Sequence, residues 1–109
     1  MDISDVIKET KRLKGAYHDL NRREGRKVWM SSDYLQGLMG DLGEVAQLLA
    51  RRKQEGPLKE TDRKLAKELC DCIYMTFSLA DELDIDMTKE YPIHLEFLEQ
   101  YLKEKQVEQ

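Results

Sequence analysis

Asp41 and Glu44 stand one helical turn apart, and so do Glu68 and Asp71. Carboxylates spaced in this way can hold a hard divalent cation or move a proton. Oxygen donors without His or Cys select Mg²⁺ or Mn²⁺ over zinc. The spacing alone is weak evidence in an acidic chain, since Asp2/Asp5, Asp81/Asp84 and Glu96/Glu99 share it and a solvated helix face accounts for any one pair. Phase singles out the middle two. At about 100° per residue, Asp41 lies roughly 100° from the centre of its apolar stripe and Glu44 roughly 160°. Glu68 and Asp71 fall at roughly the same two angles, turned in the same sense. On adjacent antiparallel helices the four carboxylates converge just outside the packed seam, where their repulsion demands a cation.

Gly37, Gly40 and Gly43 punctuate the same segment at intervals of three. Each costs about 1 kcal/mol relative to Ala in a helix interior, so the segment needs room beside its backbone, for a close partner helix or for a ligand. No Gly-rich phosphate loop, nucleophile elbow or His-rich metal motif accompanies them.

The elements that must position these residues are helical. Apolar residues recur at three and four positions, and Pro occurs only at Pro57 and Pro92. The pattern predicts a first helix from about Ile3 to Leu20, then a polar, basic stretch over Asn21–Met30. Ser31-Ser32-Asp33 offers an N-cap for a second helix reaching about Lys53. Its stripe is Leu35, Leu38, Met39, Leu42, Val45, Ala46 and Leu49. After a break at Gln54-Glu55-Gly56-Pro57, a third helix starts between Leu58 and Thr61 and runs to about Leu83. It carries Leu65, Ala66, Leu69, Ile73, Thr76, Phe77, Ala80 and Leu83. Asp86 or Thr88 caps a fourth helix, with Pro92 in its first turns and fraying expected after about Lys105.

A chain of 109 residues implies one domain over 1–109, an all-α four-helix bundle. Its core is thin, so dimer or tetramer packing is expected to complete it, with Leu48, Met75 and Leu79, off their stripe centres, as interface candidates. The net charge of −4 and pI near 5.2 disfavour a nucleic-acid polymer as partner. No apolar run approaches the roughly 20 residues of a membrane span. The start, Met1-Asp2-Ile3-Ser4-Asp5, is acidic where a signal peptide is basic, which points to a cytoplasmic protein. Cys70 and Cys72 lie about 200° apart on a helix and cannot bond to each other; they read as small buried hydrophobes.

The stretch Gly40-Asp41-Leu42-Gly43-Glu44-Val45-Ala46-Gln47-Leu48, with Glu68-Leu69-Cys70-Asp71 and Leu79-Ala80-Asp81-Glu82-Leu83-Asp84-Ile85-Asp86, resembles the MazG-like, all-α nucleoside triphosphate pyrophosphatases. That family carries an ExxE on one helix and an ExxD on the next, then a Leu-Ala and an Ile-Asp junction. The similarity covers roughly residues 21 to 90, since Asn21, Arg23, Trp29 and Asp33 also look like the segment leading into the motif. It implies a dimeric or tetrameric bundle that cleaves a nucleoside triphosphate to monophosphate and pyrophosphate. Asp41 and Glu44 take the ExxE positions, and Glu68 and Asp71 the ExxD positions, all four holding Mg²⁺ (Mn²⁺ being possible). Glu44 is favoured as the catalytic carboxylate that accepts a proton from the attacking water. Three departures stand out. Gly40 replaces a first Glu, Asp41 is one methylene shorter than Glu, and Tyr74 sits three residues after Asp71 where the family's nucleotide-contacting Tyr sits four after, at Met75 here.

Other residues admit two readings. Arg51, seven residues after Glu44 and on its face, can bind a phosphate or complement the helix dipole. Trp29, the only Trp, can stack on a base or staple the second helix. Asn21 and Tyr74 join them as candidate substrate contacts. His18 and His94 read as surface residues. The resemblance therefore implies a Mg²⁺-dependent nucleotide pyrophosphohydrolase that clears (deoxy)nucleoside triphosphates, modified ones among them. The alternatives are a non-catalytic nucleotide-binding or assembly module with a weakened metal site, and a plain dimerisation bundle.

Overall fold

The computed structural model describes residues 1–108, with side chains through Val107. It is all-α: α1 spans Ile3–Arg23, α2 Ser31–Glu55, α3 Lys59–Glu82 and α4 Met87–Glu108. Helix α1 runs three residues past the expected Leu20, and α4 continues beyond Lys105 as helix through Glu108; Gln109 lies outside the described residues. No helix is long and apolar enough to cross a membrane among the described residues.

Helix ends follow local chemistry. Asp2 and Asp5 form a reciprocal capping box on α1: Asp5 N–H donates to Asp2 Oδ1 at 3.0 Å and Asp2 N–H to Asp5 Oδ2 at 3.2 Å. One of the five acidic pairs is thereby a cap. At α2 the cap position is Met30 rather than a serine, and its N–H donates to Asp33 Oδ2 at 2.9 Å. That bond, with Lys27 3.0 Å from the other oxygen, holds the Asp33 carboxyl below its ordinary value. Gly56 ends α2 at φ 81, a left-handed conformation that glycine adopts without strain. Asp84 takes φ 57 between α3 and α4, a region Asp tolerates better than most residues.

Helices α2 and α3 form an antiparallel hairpin. Arg52 Nε meets Asp62 Oδ1 at 2.7 Å near its closed end, the carboxylates of Asp41, Glu68 and Asp71 meet at its middle, and Gly37 faces Met75. Helix α1 lies back along α3, tied by Lys14. Its ammonium, on a side chain only 9% exposed, sits 2.8 Å from Asp81 Oδ2 and 3.1 Å from Glu82 Oε1. Burial works against that charge, but the two carboxylates outweigh it and hold the Lys14 pKa above its ordinary value. Asp81 is likewise penalised by burial and still held low by Lys14 and Lys11. A depressed carboxyl stabilises the fold above its unfolded pKa of about 4 and loses that contribution as pH falls through the folded value. Lys14→Met strands both acids and should cost about 2–3 kcal/mol in urea denaturation at neutral pH. A loss indistinguishable from zero would show that the pair does not hold α1 to α3.

The seam departs from expectation. It is built from Tyr34, Leu38, Asp41, Val45 and Leu48 of α2 against Thr61, Leu65, Glu68, Cys72, Met75 and Leu79 of α3, all buried or half-buried. Leu48, Met75 and Leu79, expected at an interface, thus line the interior of the hairpin. Of the expected core stripe, Leu35, Met39, Leu42, Leu49, Leu69 and Ile73 remain about half exposed or more. The reason is an excess of apolar surface: each helix is apolar over two adjacent flanks, and one neighbour covers only one. Helix α4 is barer still, with every residue from Lys89 to Val107 exposed. Among the described residues only Tyr34, Leu65 and Ala80 are buried apolar residues, and the radius of gyration is 17.6 Å. A compact chain of this length measures roughly 13 Å.

Candidate metal centre

Asp41 reaches the middle of the α2 face that packs on α3, and Glu68 and Asp71 come from the facing turn. One carboxylate oxygen from each lies within 4.8 Å of the others. Three of the four predicted ligands are therefore together, in the seam itself rather than just outside it. Glu44 is not among them; it stays exposed on the next turn of α2, near enough for its charge to be felt at Asp41. The other acidic pairs have plain roles or none: Asp81 binds lysines, and Glu96 and Glu99 are exposed on α4.

Electrostatics show the strain of this arrangement. Burial, then the charges of Asp71 and Glu68, push the Asp41 carboxyl up. Asp41 Oδ2 is shut off from solvent with no hydrogen-bond partner, a condition it shares only with Ser78 Oγ among the described residues. Lys67 supplies partial compensation, 3.0 Å from Asp71 Oδ2 and 3.6 Å from Glu68 Oε1, from an otherwise exposed side chain. Burial, and then the same acids, push the Cys72 thiol up. Cys70 is exposed and Cys72 half-buried, unlike the buried pair expected. A carboxyl that has an unpartnered buried oxygen and is grouped with two further carboxylates fits a hard cation.

Beside the trio opens a cavity of about 630 Å³, within the range of small-ligand pockets. Asp71 belongs to both. Asn21, Trp29 and Tyr74, three of the predicted substrate contacts, line this cavity together with Tyr34 and His18. Trp29 stands edge-on to Tyr34 with ring centroids 5.4 Å apart. Gly37 makes room for it: a Cβ there would stand 3.2 Å from Trp29 Cζ3 and 3.1 Å from Met75 Sδ. At Gly40 and Gly43 a Cβ would meet nothing within 4 Å, so no close partner helix explains them in this chain. Arg51 does not line the cavity; its Nε donates to Glu55 Oε2 at 3.1 Å at the helix end.

His18 is the residue that sequence reasoning missed. It is not a surface group: its side chain is 14% exposed, and Nε2 shares a 2.8 Å hydrogen bond with the buried Tyr34 hydroxyl. No spacing within α1 signals it, because its partner lies on another helix. His94 is exposed, as expected, and stacks on Phe97. The chain matches no protein-family model, no curated protein and no solved structure in three separate comparisons.

Proposed function

We propose that this protein is a Mg²⁺-dependent nucleotide pyrophosphohydrolase of the MazG-like kind, acting in the cytoplasm as a homodimer or homotetramer on (deoxy)nucleoside triphosphates. One observation carries the reading: Asp71 is at once a member of the carboxylate trio and a wall of the aromatic cavity. A cation held by Asp41, Glu68 and Asp71 then borders the space in which a planar base and its sugar fit.

The chemistry such an ion supplies is neutralisation of the triphosphate and polarisation of the α-phosphorus. The chain's own residues do the rest. Trp29 and Tyr74 offer aromatic faces to the base, and the Asn21 amide offers both a donor and an acceptor to its edge. The His18–Tyr34 bond fixes the cavity floor, so that little ordering is left for the moment of binding. Glu44, outside the trio and one turn from Asp41, is the carboxylate left free to accept the proton of the attacking water. Arg51 reaches a phosphate only by leaving Glu55.

Pyrophosphate release from a panel of nucleoside triphosphates, with and without Mg²⁺, tests the reading. Metal-dependent release is expected. Stabilisation by Mg²⁺ plus a non-hydrolysable analogue, with no release from any triphosphate, would favour the binding module; the exposed Glu44 is the feature that favours it. A second expectation concerns pH. Because the Asp41 carboxyl is raised, protons compete with the cation for it more strongly than at an ordinary Asp. The thermal shift given by Mg²⁺ should be full at neutrality and shrink as pH approaches the carboxylate range. A shift that is constant over that interval would remove Asp41 from the site.

A further inference from the structure

Lys67 stands where the carboxylate trio and the cavity meet. It belongs to α3, one residue before Glu68 and four before Asp71. Its ammonium is 3.0 Å from Asp71 Oδ2 and 3.6 Å from Glu68 Oε1, so one cation spans two of the three acids. The pairing is lopsided in burial, the lysine side chain being 71% exposed and that of Glu68 only 18%. The ammonium therefore caps the trio from its solvent side, beside the Asp71 carboxylate that also walls the cavity. At the third acid, Asp41, its charge is the influence that favours the ionised form, against burial and the charges of Asp71, Glu68 and Glu44. Neighbouring cations are committed elsewhere: Arg51 to Glu55, Arg52 to Asp62 and Lys64 to Glu60.

We infer that Lys67 is a built-in counter-cation: it occupies the trio in the metal-free chain and passes to the substrate's phosphates when a divalent ion takes its place. The inference rests on the pyrophosphohydrolase reading and adds a positioning residue to that site. The physics is competition for the same negative charge. An ammonium and a divalent ion repel each other across a few ångströms, so Lys67 must release Asp71 and Glu68 before both can turn to the ion. Release is easy, because an exposed ion pair holds only weakly in water. The freed ammonium then needs another anion, and a triphosphate in the cavity that Asp71 walls is the one at hand. A compact charge on a flexible stem can follow that transfer of partners. The ion alone thus binds against Lys67, whereas the ion and nucleotide together bind with it. Lys67 thereby couples the two ligands.

Two thermal-shift titrations of the full chain test this without recourse to turnover, one with Mg²⁺ alone and one with a non-hydrolysable triphosphate analogue at saturating Mg²⁺. Lys67→Met should bind Mg²⁺ about 10-fold more tightly than the parent and the analogue about 10-fold more weakly. Opposite shifts in two affinities distinguish a transferred charge from a structural role, whose loss weakens both. Lys67→Arg, which keeps the charge, should move both affinities back toward the parent. Lys64→Met makes the same charge change about one turn away, at a side chain paired with Glu60; it should alter neither affinity by more than about twofold. Mg²⁺ bound no tighter by Lys67→Met, the analogue bound no more weakly, or an equal effect of Lys64→Met each overturns the inference. Those outcomes leave the metal reading standing, because the parent still takes the ion. A parent that binds no Mg²⁺ at all removes the metal site, and the inference with it.

Discussion

Replacing Asp71 with Asn should lower pyrophosphate release by about 1,000-fold, the equivalent of roughly 4 kcal/mol of transition-state stabilisation. The substitution is isosteric and the side chain is 42% exposed, so helicity and the melting temperature without metal should change little. What disappears is the one carboxylate common to the trio and the cavity, together with the anchor of Lys67. Loss of turnover must therefore come with loss of the Mg²⁺-induced thermal shift. The exposed pair on α4 is the control: Glu96→Gln/Glu99→Gln has the same spacing and no convergence, and should leave both readouts at parent levels. Turnover within about tenfold of the parent in the Asp71 variant would take the trio out of the reaction.

The contrast between those pairs measures what was legible in the sequence. Spacing alone treats Asp41/Glu44 and Glu96/Glu99 alike. Phase relative to the apolar stripe separates them, and the structure does bring Asp41, Glu68 and Asp71 together. The seam is rotated from the stripe centre toward Asp41, which places Asp41 within it, while Glu44, further round the helix and one turn on, stays exposed. The same rotation explains the inverted fate of Leu48, Met75 and Leu79, half-buried where interface positions were expected, and of Leu42 and Ile73, exposed where core was expected. Periodicity reports how much of a helix is apolar. It does not report which neighbour covers which part, and here the two middle helices have two apolar flanks and one intramolecular partner.

Element boundaries were legible where a side chain makes the cap and less so elsewhere. Asp86 Oδ1 does accept from Thr88 N–H at 3.0 Å at the start of α4. At α2, Ser31-Ser32-Asp33 looked like a cap-first sequence, but Asp33 acts three residues in and reaches back to Met30. His18 was illegible for a different reason. Its partner Tyr34 is 16 residues away on another helix, and no local pattern encodes a bond of that kind. Trp29 remained ambiguous from sequence because stacking on a base and stapling a helix use the same ring; its place against Tyr34 and over Gly37 serves the cavity wall.

Asp41→Asn should separate stability from function in opposite directions. In the metal-free protein Asp41 ionises against burial and two neighbouring anions, so its folded-state pKa lies above the unfolded one. A group raised in this way is harmless below its unfolded pKa and destabilises the fold as pH rises through the folded value. At neutrality the ionised Asp41 is thus a cost, increased by an Oδ2 with no partner. Asparagine keeps the shape, removes the charge and presents donors to Glu68 and Asp71, which should stabilise the metal-free fold by about 1 kcal/mol. Saturating Mg²⁺ should reverse the order. At about 100 times its dissociation constant, a ligand that binds only the native state adds roughly 2.7 kcal/mol; the parent gains this and the variant does not. Two melting curves without metal and two with it decide the matter. An Asn variant that is less stable than the parent in both conditions would mean that Asp41 is a structural acid, and that the repulsion at the seam is balanced by something other than a cation.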